Sequence, residues 1–360
     1  MRSITFLPLH NGKAPRWLFS RMVKLSREIS EVIIDEFGPD ELVERLSNSN
    51  WFQALSCAIG YDWHSSGTTT VTIAALKEAL NTSKEVYIAG GKGRVGVKTP
   101  EEIIKGVDFL SIPNQSDNFI EKSRLSAKID ASLIADDFSL YHHTFIFTKN
   151  KTWSVIQQGM FRDYAIRFQW FSKFLDQNDL ANEPHSGIYS DLSNNKNISS
   201  LDFTFAENKW FRDASIKVVE DYKKAFENIN LFGAYPKRHE IIPNIDLGKR
   251  AQKIIKQIYD LDPKEFKDLL LLKGVGRSTI RSLAFISSLI YNKELAYRNP
   301  FIYSYNVGGK DKIPFEINKN HYDNIINEMD NIIDRSNIPN EEKYAALKRL
   351  NKWVLSKDIN

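Results

Sequence analysis

The stretch FSLYHHTFIFTKNKTWSVIQQGM, residues 138–160, decides the fold class. It is dense in aromatic and β-branched residues, which suit a pleated surface, and Lys149, Asn150 and Lys151 interrupt it where a chain reversal fits. The pattern predicts a β-hairpin in a chain that otherwise reads as helical. Side chains alternate across a strand, so His142 and His143 face opposite sides of the hairpin, as do Gln157 and Gln158. At most one residue of each pair reaches a given site. Ahead of the hairpin, KEVYIAGGKGRVGVKT predicts a short strand entering a glycine-rich loop.

Helices surround this sheet. Leu18, Met22, Leu25, Ile29 and Val32 recur at spacings of three and four, an amphipathic helical pattern. DELVERLSNSNWFQALSCAIG and VTIAALKEAL predict two more helices. TPEEIIKGVDFL opens another, with Thr99 as N-cap, Pro100 in the first turn and Glu102 closing a capping box. The asparagine- and serine-rich YSDLSNNKNISS reads as a linker. Beyond it, helices are expected near 205–228, 247–259, 264–271 and 277–291, with two more near the C-terminus. The expected architecture is α+β. A mixed domain over residues 1–190 carries a small antiparallel sheet, a linker spans 191–200, and an all-helical domain spans 201–360.

A chain of 360 residues, 42% hydrophobic, can bury a sizeable core, and its length suits two domains. No stretch approaches the roughly eighteen consecutive apolar residues that span a bilayer. The N-terminal MRSITFLPLHNGK lacks a signal-peptide pattern, so a cytoplasmic location without a membrane partner is expected. Cys57 is the only cysteine, which excludes an intramolecular disulfide and a multi-cysteine zinc site; FQALSCAIG makes it a core residue. The net charge of +4 is unevenly spread: residues 1–200 sum to −1 and residues 201–360 to +5. Pro236 to Arg281 holds 11 basic and 6 acidic residues, enough to account for the whole excess. A localised basic zone is the footprint of a polyanion partner, although a solvated helix face has the same composition.

That zone ends on LLLLKGVGRSTIRSLAFISSLIY, residues 269–291. Asp262 as N-cap, Pro263 in the first turn and Glu265 start one helix, and Gly274 and Gly276 let the chain reverse into a second. On the second helix Ile280, Leu283, Ala284, Ser287 and Ile290 or Tyr291 share one face, leaving Arg277 and Arg281 on another. Leu272, Gly274, Val275, Gly276, Arg277, Ser278, Thr279 and Ala284 resemble the helix-hairpin-helix motif of DNA-repair and recombination proteins, here spanning 264–291. The resemblance implies DNA-backbone contact by Lys273, Gly274, Val275, Gly276, Arg277, Ser278, Thr279 and Arg281. Free N–H groups at a helix start favour an anion, and phosphate contacts hold DNA without reading its sequence. A buried turn between two core helices would share the glycines but not the arginine pair. Base-excision glycosylases with this hairpin place a lysine two residues after the second glycine and an aspartate about twenty residues on. Here Ser278 and, nearby, Tyr297 stand instead, which moves any catalysis elsewhere.

DWHSSG and EPHSGI each set a carboxylate two residues before a histidine and a serine-glycine pair after it. Asp62, His64, Glu183 and His185 are therefore candidates for one polar site, as divalent-metal ligands or as general acid and base, with His142 or His143 assisting. Independent turn roles are the alternative. Lys13, Lys92 and Lys310 sit on glycine-flexible loops suited to phosphate contact or, if desolvated, to a Schiff base with an abasic sugar. Trp63, Trp153, Gln157 and Gln158 are candidates for a base pocket. DWHSSG, YHHTFIF, VIQQGM, EPHSGI and GGKD together are similar to an archaeal and thermophilic-bacterial family known as a domain of unknown function, nearly end to end. Asn11 departs from the glycine expected there before Gly12 and Lys13. The expected function is DNA binding in repair or recombination, with a nuclease first, a glycosylase or abasic-site lyase second, and a non-catalytic DNA-binding module third.

Overall fold

A computed structural model describes residues 14–61, 66–134, 139–161, 164–189, 200–220, 258–298 and 319–358. Five strands, β1 (Val86–Lys92), β2 (Ser139–Thr148), β3 (Trp153–Phe161), β4 (Tyr164–Phe171) and β5 (His185–Tyr189), form one antiparallel sheet in sequence order. The expected hairpin is β2–β3, with Lys151 at positive φ in its reversal. The fold is α+β: mostly helix, with this small five-stranded antiparallel sheet as its middle layer.

Alternation sorts the sheet's side chains onto two apolar faces. Val86, Ile88, Ile146, Ile156 and Phe171 join a core built with α1 (Arg16–Phe37), α2 (Pro39–Ser47), α3 (Ser49–Ala58) and α4 (Ser66–Leu80). After β1 comes the single turn α5 (Arg94–Val97). Ala89, Phe145, Phe147, Trp153, Val155 and Trp170, on the opposite face, join a core built with α6 (Thr99–Phe109) and α7 (Ser116–Ser132). Against α7 pack α9 (Phe266–Leu271) and α10 (Arg277–Tyr291), and α8 (Lys209–Glu220) packs on both of these. The last helices, α11 (Lys319–Arg335) and α12 (Asn340–Asp358), return to the first layer, where Met329, Ile332, Ile333, Ala346 and Leu350 enter its core. Each core therefore draws on residues before and after the expected linker, of which 190–199 lie outside the described residues. Residues 201–298 are also not purely helical, since β6 (Ser200–Leu201) pairs with β7 (Tyr297–Arg298).

β1 is an edge strand, and side chains cap its open backbone groups. The Asn81 amide donates to Ile88 O and accepts from Ile88 N, at 2.9 and 2.8 Å. One step on, Glu102 Oε2 accepts from Gly90 N at 2.6 Å, and Lys77 Nζ donates to Gly90 O at 2.8 Å and pairs with Glu102 at 2.6 Å. An edge so occupied offers no template for another strand.

Several local expectations are corrected. The stretch 40–60 is two helices, because the Asn48 side chain accepts from Asn50 N and Trp51 N and so caps a fresh start at α3. Thr99 and Glu102 form no capping box: Thr99 Oγ1 donates to Gly96 O, and Glu102 is drawn to Lys77 and Gly90. Asp262 caps no helix start; at φ +48 its N–H closes the preceding turn on Ile258 O, and α9 begins at Phe266. Ile290 and Tyr291 are exposed rather than on the buried face of α10, whereas Ile280, Leu283, Ala284 and Ser287 are buried as the spacing predicts. Cys57 is buried. Among the described residues no helix is long and apolar enough to cross a membrane.

Gly106 is where α6 meets the sheet: a Cβ there would lie 2.3 Å from Tyr87 and 2.6 Å from Phe147. Gly106→Ala is expected to destabilise the fold by about 1–3 kcal/mol through overpacking, read from urea unfolding.

Candidate functional site

Both faces of the sheet change character at the same end. Toward the β2–β3 reversal the α7 face carries Phe145, Phe147, Trp153 and Val155 and the other face Ile146 and Ile156, all buried; toward the opposite end the paired positions are His142 with Gln158 and His143 with Gln157. Register continues these rows to Arg167 and Phe168 on β4. Polar groups placed between packed helices need partners, and here they find them in α7, α4 and α3.

On the α7 face the partners form one chain. Asp130 is buried, and its Oδ1 accepts from His185 Nε2 at 2.7 Å while Oδ2 accepts from Gln157 Nε2 at 2.5 Å and from Trp170 Nε1 at 3.1 Å. Gln157 Nε2 also donates to Ser126 O at 3.2 Å. Both neighbours of that nitrogen are acceptors, so the amide orientation is fixed and Oε1 receives the proton of His143 Nδ1 at 2.8 Å. Burial lowers the His143 pKa, with the Gln157 hydrogen bond and the Asp130 charge opposing more weakly. The ring is then neutral, with its proton on Nδ1 and its Nε2 lone pair accepting from the Ser123 hydroxyl at 2.8 Å. A serine hydroxyl donating to an oriented imidazole is the arrangement that general-base and nucleophilic chemistry use. Ser123 is buried and His143 is partly exposed.

The other face holds His142 in a different state. It is 2% exposed, its Nε2 meets Thr144 Oγ1 at 2.8 Å, and its Nδ1 has no hydrogen-bond partner among the described residues. Burial pushes its pKa down to about 3, reinforced by His143 whenever that ring is itself protonated and by the positive charges of Lys92 and Lys77. Gln158 lies beside it and donates to Ser66 O at 2.8 Å and to the Tyr141 hydroxyl, fixing the start of α4 against β3. Farther along, Arg167 lies over Phe52 and donates to Ser49 O and Gln169 Oε1.

These placements sort the sequence candidates. His143, Gln157 and His185 come together, but the carboxylate that joins them is Asp130. Glu183 is exposed, at φ +45, with its N–H on Thr204 O. Asp62, Trp63, His64, Lys13 and Lys310 lie outside the described residues. No group of three or more His, Cys, Asp or Glu among the described residues is arranged to hold a metal ion. Trp153 stacks on Phe145 with centroids 5.3 Å apart in the core, and Gln157 and Gln158 are engaged with protein, so no base-reading face is open at these three. Lys92 is exposed, over the Tyr141 ring. Sequence reasoning missed Ser123, Ser126 and Asp130, whose spacing of three and four among Phe119, Ile129 and Leu133 puts polar groups on a core-facing helical stripe.

The hairpin at 272–276 docks on the other side of the same helix. Lys128 Nζ donates to Val275 O at 2.6 Å, and Arg277 Nη2 to Ala131 O at 3.3 Å near the C-terminal end of α7. Val275 and Thr279 are buried; Lys273, Gly274 and Ser278 are exposed; Gly276, Arg277 and Arg281 are half-buried. Gly274 has φ +95, which calls for glycine. Gly276 is extended, and a Cβ there would meet nothing within 4 Å, so folding does not demand its bareness.

A family model described as "Protein of unknown function (DUF763)" matches residues 3–317. The chain belongs to the DUF763 family. No curated protein and no solved structure matches it. The match covers the whole sheet, α7 and the hairpin of this DUF763 protein.

Because the folded state keeps His142 neutral to about pH 3 while an unfolded histidine takes up its proton near 6.5, the folded pKa is the depressed one. Its contribution to stability is full above about pH 6.5 and is lost as pH falls toward 3. His142→Gln is expected to flatten the fall of urea-unfolding stability across that window, and an unchanged slope would contradict the buried neutral state.

Proposed function

We propose that this protein binds DNA and hydrolyses its phosphodiester backbone, as a nuclease of repair or recombination. The observation that carries the reading is the double use of α7. One side of the helix orients His143 through Asp130 and Gln157, and the other is fixed to the two-glycine hairpin through Lys128 and Ala131. The hairpin supports the DNA half. Lys273 is exposed at its tip, α10 starts without a side-chain cap, and Gly276 leaves backbone bare where nothing in the fold requires it. Such a surface suits a phosphate brought close to free N–H groups. In the chemical half, the Ser123–His143 pair would take the proton of an attacking water: Ser123 receives it as its own hydroxyl proton passes to His143 Nε2. Of the four candidate metal ligands, His185 is committed to Asp130, Glu183 is exposed on a turn, and Asp62 and His64 lie outside the described residues.

A second reading, an abasic-site lyase, has one observation in its favour. Lys128 is half-buried against the hairpin, and burial lowers its pKa, which favours the neutral amine that forms a Schiff base.

Incubating the full chain with intact, branched, uracil-containing, oxidised and abasic DNAs, with and without chelator, tests both. A nuclease cuts at least one substrate, and His143→Gln should lower that rate by about 10²–10⁴-fold while the variant stays folded. Borohydride trapping on abasic DNA, lost in Lys128→Met, would favour the lyase; no cleavage of any substrate would sink both. Lys273→Ala should weaken binding alike across sequences and reduce the salt slope by roughly one phosphate contact.

A further inference from the structure

The loop and single helical turn KGRVGVK, residues 92–98, pack their backbone on the end of β1 and β2 yet leave their side chains outside the core. Four glycines build the segment and its approach: Gly90 and Gly91 at the end of β1, and Gly93 and Gly96 within the turn. Gly90, Gly91 and Gly93 have positive φ, a Cβ on Gly90 would lie 2.3 Å from His143 O, and one on Gly96 would lie 2.7 Å from Gly91 O. Gly93 N donates to Tyr141 O at 2.7 Å, so the turn is tied to the strand that carries His142 and His143. Yet α5 buries none of its residues. Val95 and Val97 are 43% and 79% exposed, and Lys92, Arg94 and Lys98 are exposed beside them. No carboxylate among the described residues pairs with these three cations, whereas Lys264 and Lys267 before the hairpin are paired with Asp262 and Glu265.

We infer that residues 92–98 are a second nucleic-acid contact, which takes an unpaired strand past the His143 edge of the sheet. The inference rests on the DNA-processing reading above. The three cations meet phosphates, and Val95 and Val97 meet sugar and base faces that are accessible only where the strand is unpaired or a base step is opened. Gly93, between Lys92 and Arg94, is exposed and a Cβ there would meet nothing within 4 Å, so the backbone of a strand can approach closely at that point. An acidic protein would satisfy the cations, but it gives the two valines no counterpart and no reason to lie beside His143.

Fluorescence anisotropy of the full chain on labelled single-stranded and duplex oligonucleotides, across a salt series, tests this. Lys92→Ala with Arg94→Ala and Lys98→Ala is expected to weaken single-strand binding at least 10-fold and to reduce the salt slope by about 2, near 0.7 per phosphate contact. Val95→Ser with Val97→Ser should weaken single-strand binding by roughly 3-fold, spare the duplex and leave the salt slope unchanged. All five side chains are exposed, so the variants should fold, and circular dichroism checks that they do. If Lys273→Ala weakens binding while the triple variant binds like the parent, the inference fails and the hairpin reading stands. A parent that binds no nucleic acid overturns both. Loss of polyglutamate binding in the triple variant, with nucleic-acid binding unchanged, overturns the inference in favour of an acidic protein.

Discussion

Asp130 brings a carboxylate into the layer between α7 and the sheet, where an unpaired charge would be costly. Three donors offset that cost, and each comes from a different strand: Gln157 on β3, Trp170 on β4 and His185 on β5. The requirement to satisfy one buried group therefore fixes α7 against three strands at once. It also fixes the register of the helix on the sheet, because Ser126 and Ser123 precede Asp130 by one and two turns and meet Gln157 and His143 in order. The orientation of His143 follows from this constraint, passed on through its hydrogen bonds to Gln157 and Ser123.

The two sides of the sheet use polar groups differently. On the α7 side each group passes a hydrogen bond to the next, ending at a neutral imidazole with its lone pair toward a serine. On the α4 side His142 is held neutral beside positive neighbours, with one ring nitrogen unpartnered among the described residues. Adjacent residues of one strand thus have opposed environments, which alternation dictates. A buried, neutral His142 does not add positive charge beside Lys92, while the partly exposed His143 sits where the glycine-built turn ends.

Much of the fold was legible because its signals are local. Aromatic and β-branched density marked β2 and β3, the 3–4 spacing marked α1, and the two glycines marked the break between α9 and α10. Predicted caps at Thr99 and Asp262 failed for the opposite reason: Glu102 and the Asp262 backbone bond to partners that lie outside the window in which a cap is read. The site was half legible. His143, His185 and Gln157 stood out by residue type, but their common partner did not, since an aspartate in the helical stretch SRLSAKIDAS looks like solvated surface until the helix phase is compared with Phe119, Ile129 and Leu133. The pairing of Glu183 with His185 was read from sequence proximity. The chain turns at Glu183, with positive φ, before β5 begins, so two residues of separation carry the two side chains into different environments.

The hairpin shows how a charge count differs from a charge distribution. The basic excess around it predicts an open cationic surface, yet Lys264 and Lys267 are paired, Arg277 reaches back to Ala131 O and Lys128 is drawn in to Val275 O. The ion-paired cations contribute less to long-range attraction, and those that donate to carbonyls keep their charge but have fewer N–H groups left for direct phosphate contact. What they supply is rigidity: the turn between Gly274 and Gly276 is fixed to the same helix that carries Asp130. In the nuclease reading proposed above, a strand bound at the hairpin is held in a set relation to His143, and such precision is what that reading asks of a binding element.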